Sequence, residues 1–162
     1  MAAYADAQGG LVNHLAYHPL IRPLVTTVAT TSSAEDIRVY ADLAPDGTAL
    51  PYICVHDISG EMPIHIDGSC GYTEPTLQVD IFAASSPSRA QLRDAVRRAV
   101  NGFRGALGHS DQSIPPDVSR IEIVGNVSMT EDRQDGSQDP IYHTALDLRL
   151  FLQNEEPARF TG

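Results

Sequence analysis

The sequence predicts an α+β domain: a mostly antiparallel sheet of four or five strands with helices packed on one face. The predicted elements run in the order helix, strands, helix, two strands, which is typical of antiparallel sheets with segregated helices. The strand segments alternate apolar and polar residues, as expected where one sheet face is buried and the other open. The 162 residues show no internal repeat or boundary. We therefore expect a single domain over residues 1–162, with a short polar tail at 153–162.

The first predicted element is a short amphipathic helix. Leu11 and Leu15, with Val12 beside them, fall on one face at three- and four-residue spacing. The helix is expected to end near His18, because a residue before a proline such as Pro19 is driven away from helical backbone.

Two strands and a long connection follow. A short strand is predicted at Ile37 to Tyr40 and a longer one, rich in β-branched and aromatic residues, at Pro51 to Ser59, with a Pro-Asp-Gly turn between them. Residues 60–76 contain several glycines and prolines, so we expect them to form a long excursion between two main strands.

The segment "LQVDIFA" predicts a central strand. Its buried face carries Leu77, Val79, Ile81 and Ala83. Its other face carries Gln78, Asp80 and Phe82. Asp80 and Phe82 are therefore expected to point away from the core, where they are free to meet a partner.

A second helix is predicted directly after this strand. Ser86 is placed to cap it, with Pro87 at the first helical position, and Gly102 and Gly105 lie where it ends. Its apolar stripe consists of Leu92, Val96, Ala99, Val100 and Phe103.

The last part of the chain predicts a β-hairpin. Its strands, 118–131 and 140–153, are separated by the acidic loop "DRQDGSQD". The second strand places on one face Tyr142, Thr144, Leu146, Leu148, Leu150 and Leu152, and on the other His143, Asp147 and Arg149.

Composition excludes several classes of protein. The net charge is -10, with 21 carboxylates against 11 basic residues, all of them arginine; this disfavours general nucleic-acid binding, which depends on cations neutralising phosphates. The chain has no run of about 18 apolar residues and no signal sequence, so we expect neither membrane contact nor secretion. The two cysteines, Cys54 and Cys70, show no metal or disulfide spacing and are expected to be reduced thiols.

Metal or hydrolytic chemistry is a weaker interpretation of the histidines. His14 and His18 lie four residues apart, a spacing found in some zinc sites, but no third ligand accompanies them. We expect them to be surface histidines. The loop "DGSQD" lacks the ligand spacing of a calcium loop.

The residues around His56 include the types used by hydrolases. His56, Asp57 and Ser59 are too close in one strand to form a nucleophile–base–orienter chain, and Cys54 lies in an apolar run typical of a core residue. We therefore predict no catalysis, cofactor or metal. A small metal-dependent or hydrolytic enzyme remains the alternative from a different class.

The predicted second helix carries a row of arginines. Arg89, Arg93 and Arg97 recur every four residues and so line one face; we call them the arginine row. A solvated face, paired in part with Asp94, is the plainer interpretation. Arginine is, however, enriched at protein interfaces and is a planar bidentate donor. We therefore predict that the row binds carboxylates of a neighbouring protein. We also predict that Asp80 and Phe82 contact a partner.

The order of these elements resembles the tail-terminator, or tail-completion, family of long-tailed bacteriophages and their prophage-derived relatives. The motifs that carry the resemblance are "RVY" at 38–40, "LPYI" at 50–53, "LQVDIFA" at 77–83 and the helix at 88–103. It spans roughly residues 8 to 152. The chain departs from the usual pattern in a longer stretch from Thr26 to Asp36 and an extended loop from Gly60 to Thr76.

The resemblance implies a non-catalytic virion protein of the tail and neck, assembled in the host cytoplasm. It would form a ring, typically a homohexamer, that caps the tail tube and joins it to the head–tail connector or stopper protein. DNA would pass through this ring without specific binding, and the hairpin-loop carboxylates of Asp132, Asp135 and Asp139 are the predicted channel-facing groups, since like charge keeps phosphates from adhering. Another neck component, such as a head-completion or connector-stopper protein, is the alternative within this setting.

Overall fold

The computed structural model describes residues 6–28, 35–61, 64–65, 68–69, 72–108, 116–132, 136 and 139–153. The helices in this part of the chain are α1 (Ala7–Tyr17), α2 (Arg22–Val25) and α3 (Ser86–Val100). The strands are β1 (Thr26–Val28), β2 (Glu35–Ile37), β3 (Val39–Ala41), β4 (Tyr52–Glu61), β5 (Ile64–His65), β6 (Gly68–Ser69), β7 (Tyr72–Ala83), β8 (Gly105–Ala106), β9 (Asp117–Glu131) and β10 (Ile141–Gln153).

Six strands form the main sheet, in the order β3-β4-β7-β10-β9-β8. The pair β3–β4 is parallel and the other neighbours are antiparallel. The α+β class is confirmed, but the prediction of four or five strands was wrong. The short strand predicted at Ile37 to Tyr40 overlaps β3; the main-sheet strand that the sequence missed is β8, whose two residues are too few to show an alternation. Two further ladders, β1–β2 and β5–β6, lie outside this sheet.

Helices α1 and α3 cover the same side of the sheet, which we call the inner face; the opposite side is the outer face. Helix α1 packs on β3 and β4, and α3 on β7, β10 and β9. One hydrophobic core joins the fully buried side chains of both helices to those of the central strands. The alternation predicted for β10 is observed, with Leu146, Leu148 and Leu150 buried on the inner face.

Helix α1 ends where the sequence predicted. The Asp6 side chain accepts a hydrogen bond from the Gly9 amide (2.9 Å) and caps the first turn, and the helix ends at Tyr17, with the backbone of His18 extended. Gly10 lies against the segment after α3: a Cβ there would sit 2.9 Å from the Leu107 carbonyl oxygen. Glycine therefore permits the close approach of α1 to this segment.

Helix α3 begins one residue earlier than predicted. Ser85, not Ser86, is the N-cap, and its hydroxyl accepts a hydrogen bond from the Ser88 amide at 3.2 Å. Both serines have the right chemistry for a cap, and only backbone geometry decides between them.

Residues 60–76 are not the long loop that the sequence predicted. Strands β4 and β7 remain paired beyond the core, with Gly60 opposite Pro75 and Glu61 opposite Glu74. A register shift between Asp57 and Ser59 lets the ladder continue past this point. The glycines and prolines thus belong largely to a hairpin arm, although residues 62–63, 66–67 and 70–71 lie outside the described part.

The predicted C-terminal hairpin is confirmed. Strands β9 and β10 pair along nearly their whole length, and β10 pairs with β7 on its other side. Strand β8 covers only the first residues of β9, at Asp117 and Val118. Among the described residues, no other strand pairs with this side of β9. The tail predicted at 153–162 lies outside the described residues from 154 onward.

Candidate functional site

The arginine row divides into one anchored residue and two free ones. The Arg89 guanidinium donates to the Met129 carbonyl (3.2 Å) and lies over the Tyr142 ring at 5.5 Å, which ties α3 to the end of the β9–β10 hairpin. The guanidinium groups of Arg93 and Arg97 have no hydrogen-bond or ion-pair partner among the described residues. Arg93 is half-buried and Arg97 is exposed.

Arg98, which flanks the row, is paired within the helix. Its Nε atom lies 3.1 Å from Asp94, one turn earlier, and both side chains are more than half exposed. An exposed pair at this spacing contributes little to stability. The plainer interpretation of the sequence, a solvated charged face, therefore fits Arg98. It names no partner within the subunit for Arg93 and Arg97.

Asp80 lies on the outer face, as the strand alternation predicted, but the expectation that it is free to meet a partner was wrong. Its side chain is only 6% exposed. One carboxylate oxygen lies 2.9 Å from His143 Nε2 and accepts from Gln78 Nε2 at 2.8 Å; the other lies 2.8 Å from His56 Nε2. We call these four residues, with Glu131, the histidine–aspartate network.

The network continues through His143 to the neighbouring hairpin. His143 Nδ1 lies 3.0 Å from a carboxylate oxygen of Glu131, so both ring nitrogens face carboxylates and the doubly protonated imidazolium can donate to each. The hydrogen bond to Asp80 raises the pKa of His143 above its ordinary value; burial opposes this, and Glu131 adds to it. Burial alone would raise the pKa of Asp80, but hydrogen bonds from His143 and Gln78 lower it. Both pKa shifts favour the charged forms of His143 and Asp80.

Phe82 packs against aromatic rings of its own sheet. Its half-buried ring stacks on Tyr52 (centroids 4.7 Å apart) and on His143 (4.4 Å apart). Such stacking fixes the orientation of the His143 ring. The predicted interface role of Asp80 and Phe82 thus remains a proposal, and their contacts within the sheet are what the structure shows.

A cavity of about 330 Å³ opens beside this network, under the loop that follows β3. We call it the loop pocket. Its walls come from residues 42–48 on one side and from outer-face side chains of β4 and β7 on the other, including Tyr52, His56 and Phe82. The sequence indicated only a Pro-Asp-Gly turn here. The sequence feature that could have indicated the pocket is the pair of aspartates, Asp42 and Asp46, in and before this turn.

The predicted acidic loop is described in part. Asp132 and Asp139 are exposed at the end of the β9–β10 hairpin, and Asp135 lies outside the described residues. These two carboxylates are at the same end of the sheet as the loop pocket, since Tyr142 pairs with Ala83 and Tyr52 with Phe82.

His14 connects α1 to α3 and is not the surface group that the sequence predicted, whereas His18, which follows α1, is half-buried. His14 Nε2 lies 3.0 Å from the Ala99 carbonyl of α3, and its ring packs on Phe103 with centroids 4.5 Å apart. Burial lowers the pKa of His14. Among the residues that the structure describes, no cluster of three or more histidine, cysteine, aspartate or glutamate side chains is arranged to hold a metal ion.

In the same described ranges, no helix has both the length and the apolar character needed to span a bilayer.

Comparison with known proteins identifies the family. The family model "Tail completion protein gp17" matches residues 18–151, which include every strand of the main sheet and α3. The chain belongs to this family. It is a structural protein of the phage tail, located in the virion, as the resemblance implied.

The fold has a counterpart among solved structures. A chain from a structure described as the virion of a native gene transfer agent (GTA) particle superposes with a TM-score of 0.62 at 13% sequence identity. The alignment covers 94% of this chain and 100% of that one. At this identity the likeness shows a shared fold. The comparison with curated proteins found no match.

The motifs that carry the resemblance to tail completion proteins have structural roles. Arg38, from "RVY", is 4% exposed, and its Nε donates to the Pro51 carbonyl of "LPYI" at 2.9 Å. The Arg38 guanidinium also bonds the Thr27 hydroxyl. These contacts join the segment before β3 to the start of β4, so two motifs distant in sequence form one structural unit of this tail completion protein.

Proposed function

We propose that this chain forms a ring, a homohexamer, that caps the tail tube and joins it to the head–tail connector. Membership of the tail completion family supports a role in finishing the tail. The observation that carries the ring is the placement of charge on the two sides of the sheet. Arg93 and Arg97, which have no partner among the described residues, lie on α3 on the inner side. Exposed carboxylates lie on the outer side around the loop pocket, and others lie at the hairpin end.

Opposite charges on opposite faces favour head-to-tail contacts between copies. A surface that is complementary to a different surface of the same chain makes heterologous contacts, and these close into a ring when the rotation between copies allows it. Arg93 and Arg97 on one copy would meet carboxylates such as Asp46 on the next. Arginine suits such a contact because its planar fork binds carboxylates bidentately.

The acidic hairpin end also fits a passage for DNA. Asp132 and Asp139 are exposed, and like-charged groups on a channel wall repel phosphates within the screening distance of about 10 Å. In the proposed ring, these carboxylates together with Asp135 face the channel, and DNA passes without specific binding.

The test is assembly of purified protein, alone and with tail tubes, followed by light scattering and negative-stain microscopy. The double variant Arg93→Glu, Arg97→Glu should lose ring formation and tube-end binding, because two cations without an internal partner become anions. Its free energy of unfolding should stay within about 1 kcal/mol of the wild type, because Arg97 is exposed and the half-buried Arg93 has no partner among the described residues.

A matched control reverses the same number of charges elsewhere. Arg104 and Arg149 are exposed and lie outside the arginine row, so the variant Arg104→Glu, Arg149→Glu has the same net charge as the test variant. It should assemble like the wild type. Equal loss in both variants would mean that net charge, and not the row, governs assembly. Normal assembly of the Arg93→Glu, Arg97→Glu variant would leave these arginines as a solvated face.

A pull-down against separate partners tests the position in the neck. The proposal expects binding to tail tube protein as well as to the connector or stopper. Binding to portal-side proteins alone, with no affinity for tube ends, would instead identify a head-completion or stopper protein.

A further inference from the structure

The loop pocket has the chemistry of a site for a single guanidinium group. Asp42 and Asp46 line its rim, and the stacked rings of Tyr52 and Phe82 line its wall. Carboxylates are the preferred partners of arginine, and aromatic faces attract its delocalised cation. Its volume of about 330 Å³ is at the lower limit of small-ligand pockets, which begin at about 300 Å³. That space suits a side chain better than a nucleotide or cofactor.

The rim is held in place before any partner arrives. The Asp42 amide donates to the Val55 carbonyl at 2.9 Å, and the Asp42 carboxylate accepts from Gln8 Nε2 at 2.8 Å. The Thr48 hydroxyl donates to the Pro45 carbonyl at 2.5 Å and closes the turn that carries Asp46. Since the loop is already ordered by these bonds, binding there loses little conformational entropy.

The remaining wall groups add no competing partner for the carboxylates on the rim. His56 is held by Asp80 at 2.8 Å. Cys54 is buried, and burial raises the pKa of its thiol, so it lies neutral within the pocket. The exposed rim residue Leu43, at 82%, extends an apolar surface around the opening.

No arginine of α3 can reach this pocket in the same copy. The pocket is built on outer-face residues, whereas α3 packs on the inner face through Leu92 and Val96. The sheet separates the two. A contact between them is therefore intermolecular and head-to-tail.

We propose that the loop pocket receives the guanidinium of Arg97 from a second copy of this chain. The proposal rests on the proposed ring and names the contact that closes it. Arg97 is the member of the row that is both exposed and without a partner among the described residues. Arg93 is half-buried, Arg89 is bound to Met129, and Arg98 is paired with Asp94. The opposite charges of the two surfaces favour the helix of one copy at the pocket of the next.

A charge-swap experiment on the full chain tests this pairing. Asp46→Arg places a cation on the rim and should weaken self-association, measured by sedimentation velocity over a concentration series, by about tenfold to a hundredfold. Arg97→Asp should weaken it to a similar degree. The double variant Asp46→Arg, Arg97→Asp restores opposite charges across the contact and should recover most of the association.

The control is Asp132→Arg, which makes the same charge change at an exposed carboxylate outside the pocket. It should associate more tightly than Asp46→Arg. Circular dichroism of each variant checks that the chain is folded. Recovery in the double variant is itself evidence of folding, because a misfolded single variant would not be rescued by a second charge change.

The outcomes separate this proposal from the ring. If single variants assemble like the wild type, or the double variant is not restored, the pocket contact is overturned while the ring stands. If Asp46→Arg abolishes tube-end binding but leaves self-association unchanged, the occupant is another tail protein and the proposal is overturned. A wild-type chain that stays monomeric, alone and with tubes, overturns both.

Discussion

Asp80 and Arg97 are both charged residues that the sequence places on an exposed-looking face, yet the structure treats them in opposite ways. Asp80 is buried, and both of its carboxylate oxygens are bound by histidines of adjacent strands. Arg97 is exposed and its guanidinium has no partner among the described residues. One charge is used within the subunit, and the other is available to a neighbour.

The difference teaches which charges stabilise the fold and which can act in assembly. A buried charge whose hydrogen bonds are complete contributes to folding and is costly to remove. An exposed charge without a partner contributes almost nothing to folding. Substitutions in the histidine–aspartate network should therefore change the free energy of unfolding, and those at free arginines should change assembly alone.

The largest effect on folding is expected for Asp80→Asn. Asparagine has nearly the same shape but no charge, and His56 and His143 lose their anionic acceptor while remaining in place. The free energy of unfolding should fall by about 2–3 kcal/mol, the scale of a buried hydrogen bond to a charged group. Urea denaturation at pH 6 measures this, with Asp94→Asn as the exposed control. Equal stability of the two variants would place Asp80 among the dispensable surface charges.

The second prediction concerns pH. The folded-state pKa of His143 is raised above its ordinary 6.5, so its stabilisation is complete below pH 6.5 and is lost as the pH rises through the raised value. The pKa of Asp80 is lowered below 3.8, so its contribution is complete above pH 3.8 and is lost at lower pH. The stability advantage of the wild type over His143→Gln should be widest between these limits and shrink in alkali.

His14 and His18 do not change the difference in stability between the wild type and His143→Gln. Burial lowers the pKa of His14 and His18, which gives the opposite slope with pH, but both are present in wild type and variant and so cancel in the difference. A difference that stays constant from pH 5 to pH 9 would mean that folding does not change the pKa of His143.

The smallest effects distinguish arginines within α3. Arg89→Ala removes the hydrogen bond to Met129 and the contact with the Tyr142 ring, and should cost about 1 kcal/mol of stability. Arg97→Ala should change stability by less than about 0.5 kcal/mol. Thermal unfolding of the two variants under the same conditions makes the comparison. A larger loss for Arg97→Ala would show that this residue has a structural partner.

Sequence periodicity predicted the parts of the fold that repeat. The alternation in "LQVDIFA" and in the last strand gave the correct buried faces of β7 and β10, and the apolar stripe gave the buried face of α3. These signals succeed because burial on one face imposes a fixed spacing on the chain. Strand β8 has only two residues and carries no such spacing, so the sequence missed it as a strand of the main sheet.

The candidate site was less predictable because its members are distant in sequence. Strand alternation correctly placed Asp80 on the outer face, but its partners His56 and His143 come from two other strands. Their meeting depends on strand order and register, which local patterns do not specify. The same reason hid the loop pocket, whose walls join the turn after β3 to β4 and β7.

The arrangement of β10 has a mechanical consequence. This strand is hydrogen-bonded to β7 on one side and to β9 on the other, along nearly its whole length. In antiparallel ladders these bonds lie perpendicular to the strands, so a pull directed along the strands loads the bonds of both ladders in shear and at the same time. The hairpin of β9 and β10 ends at one end of the sheet, and the paired arm of β4 and β7 extends from the other. Tension applied between these two ends is shared across the ladders, and no single bond has to yield first.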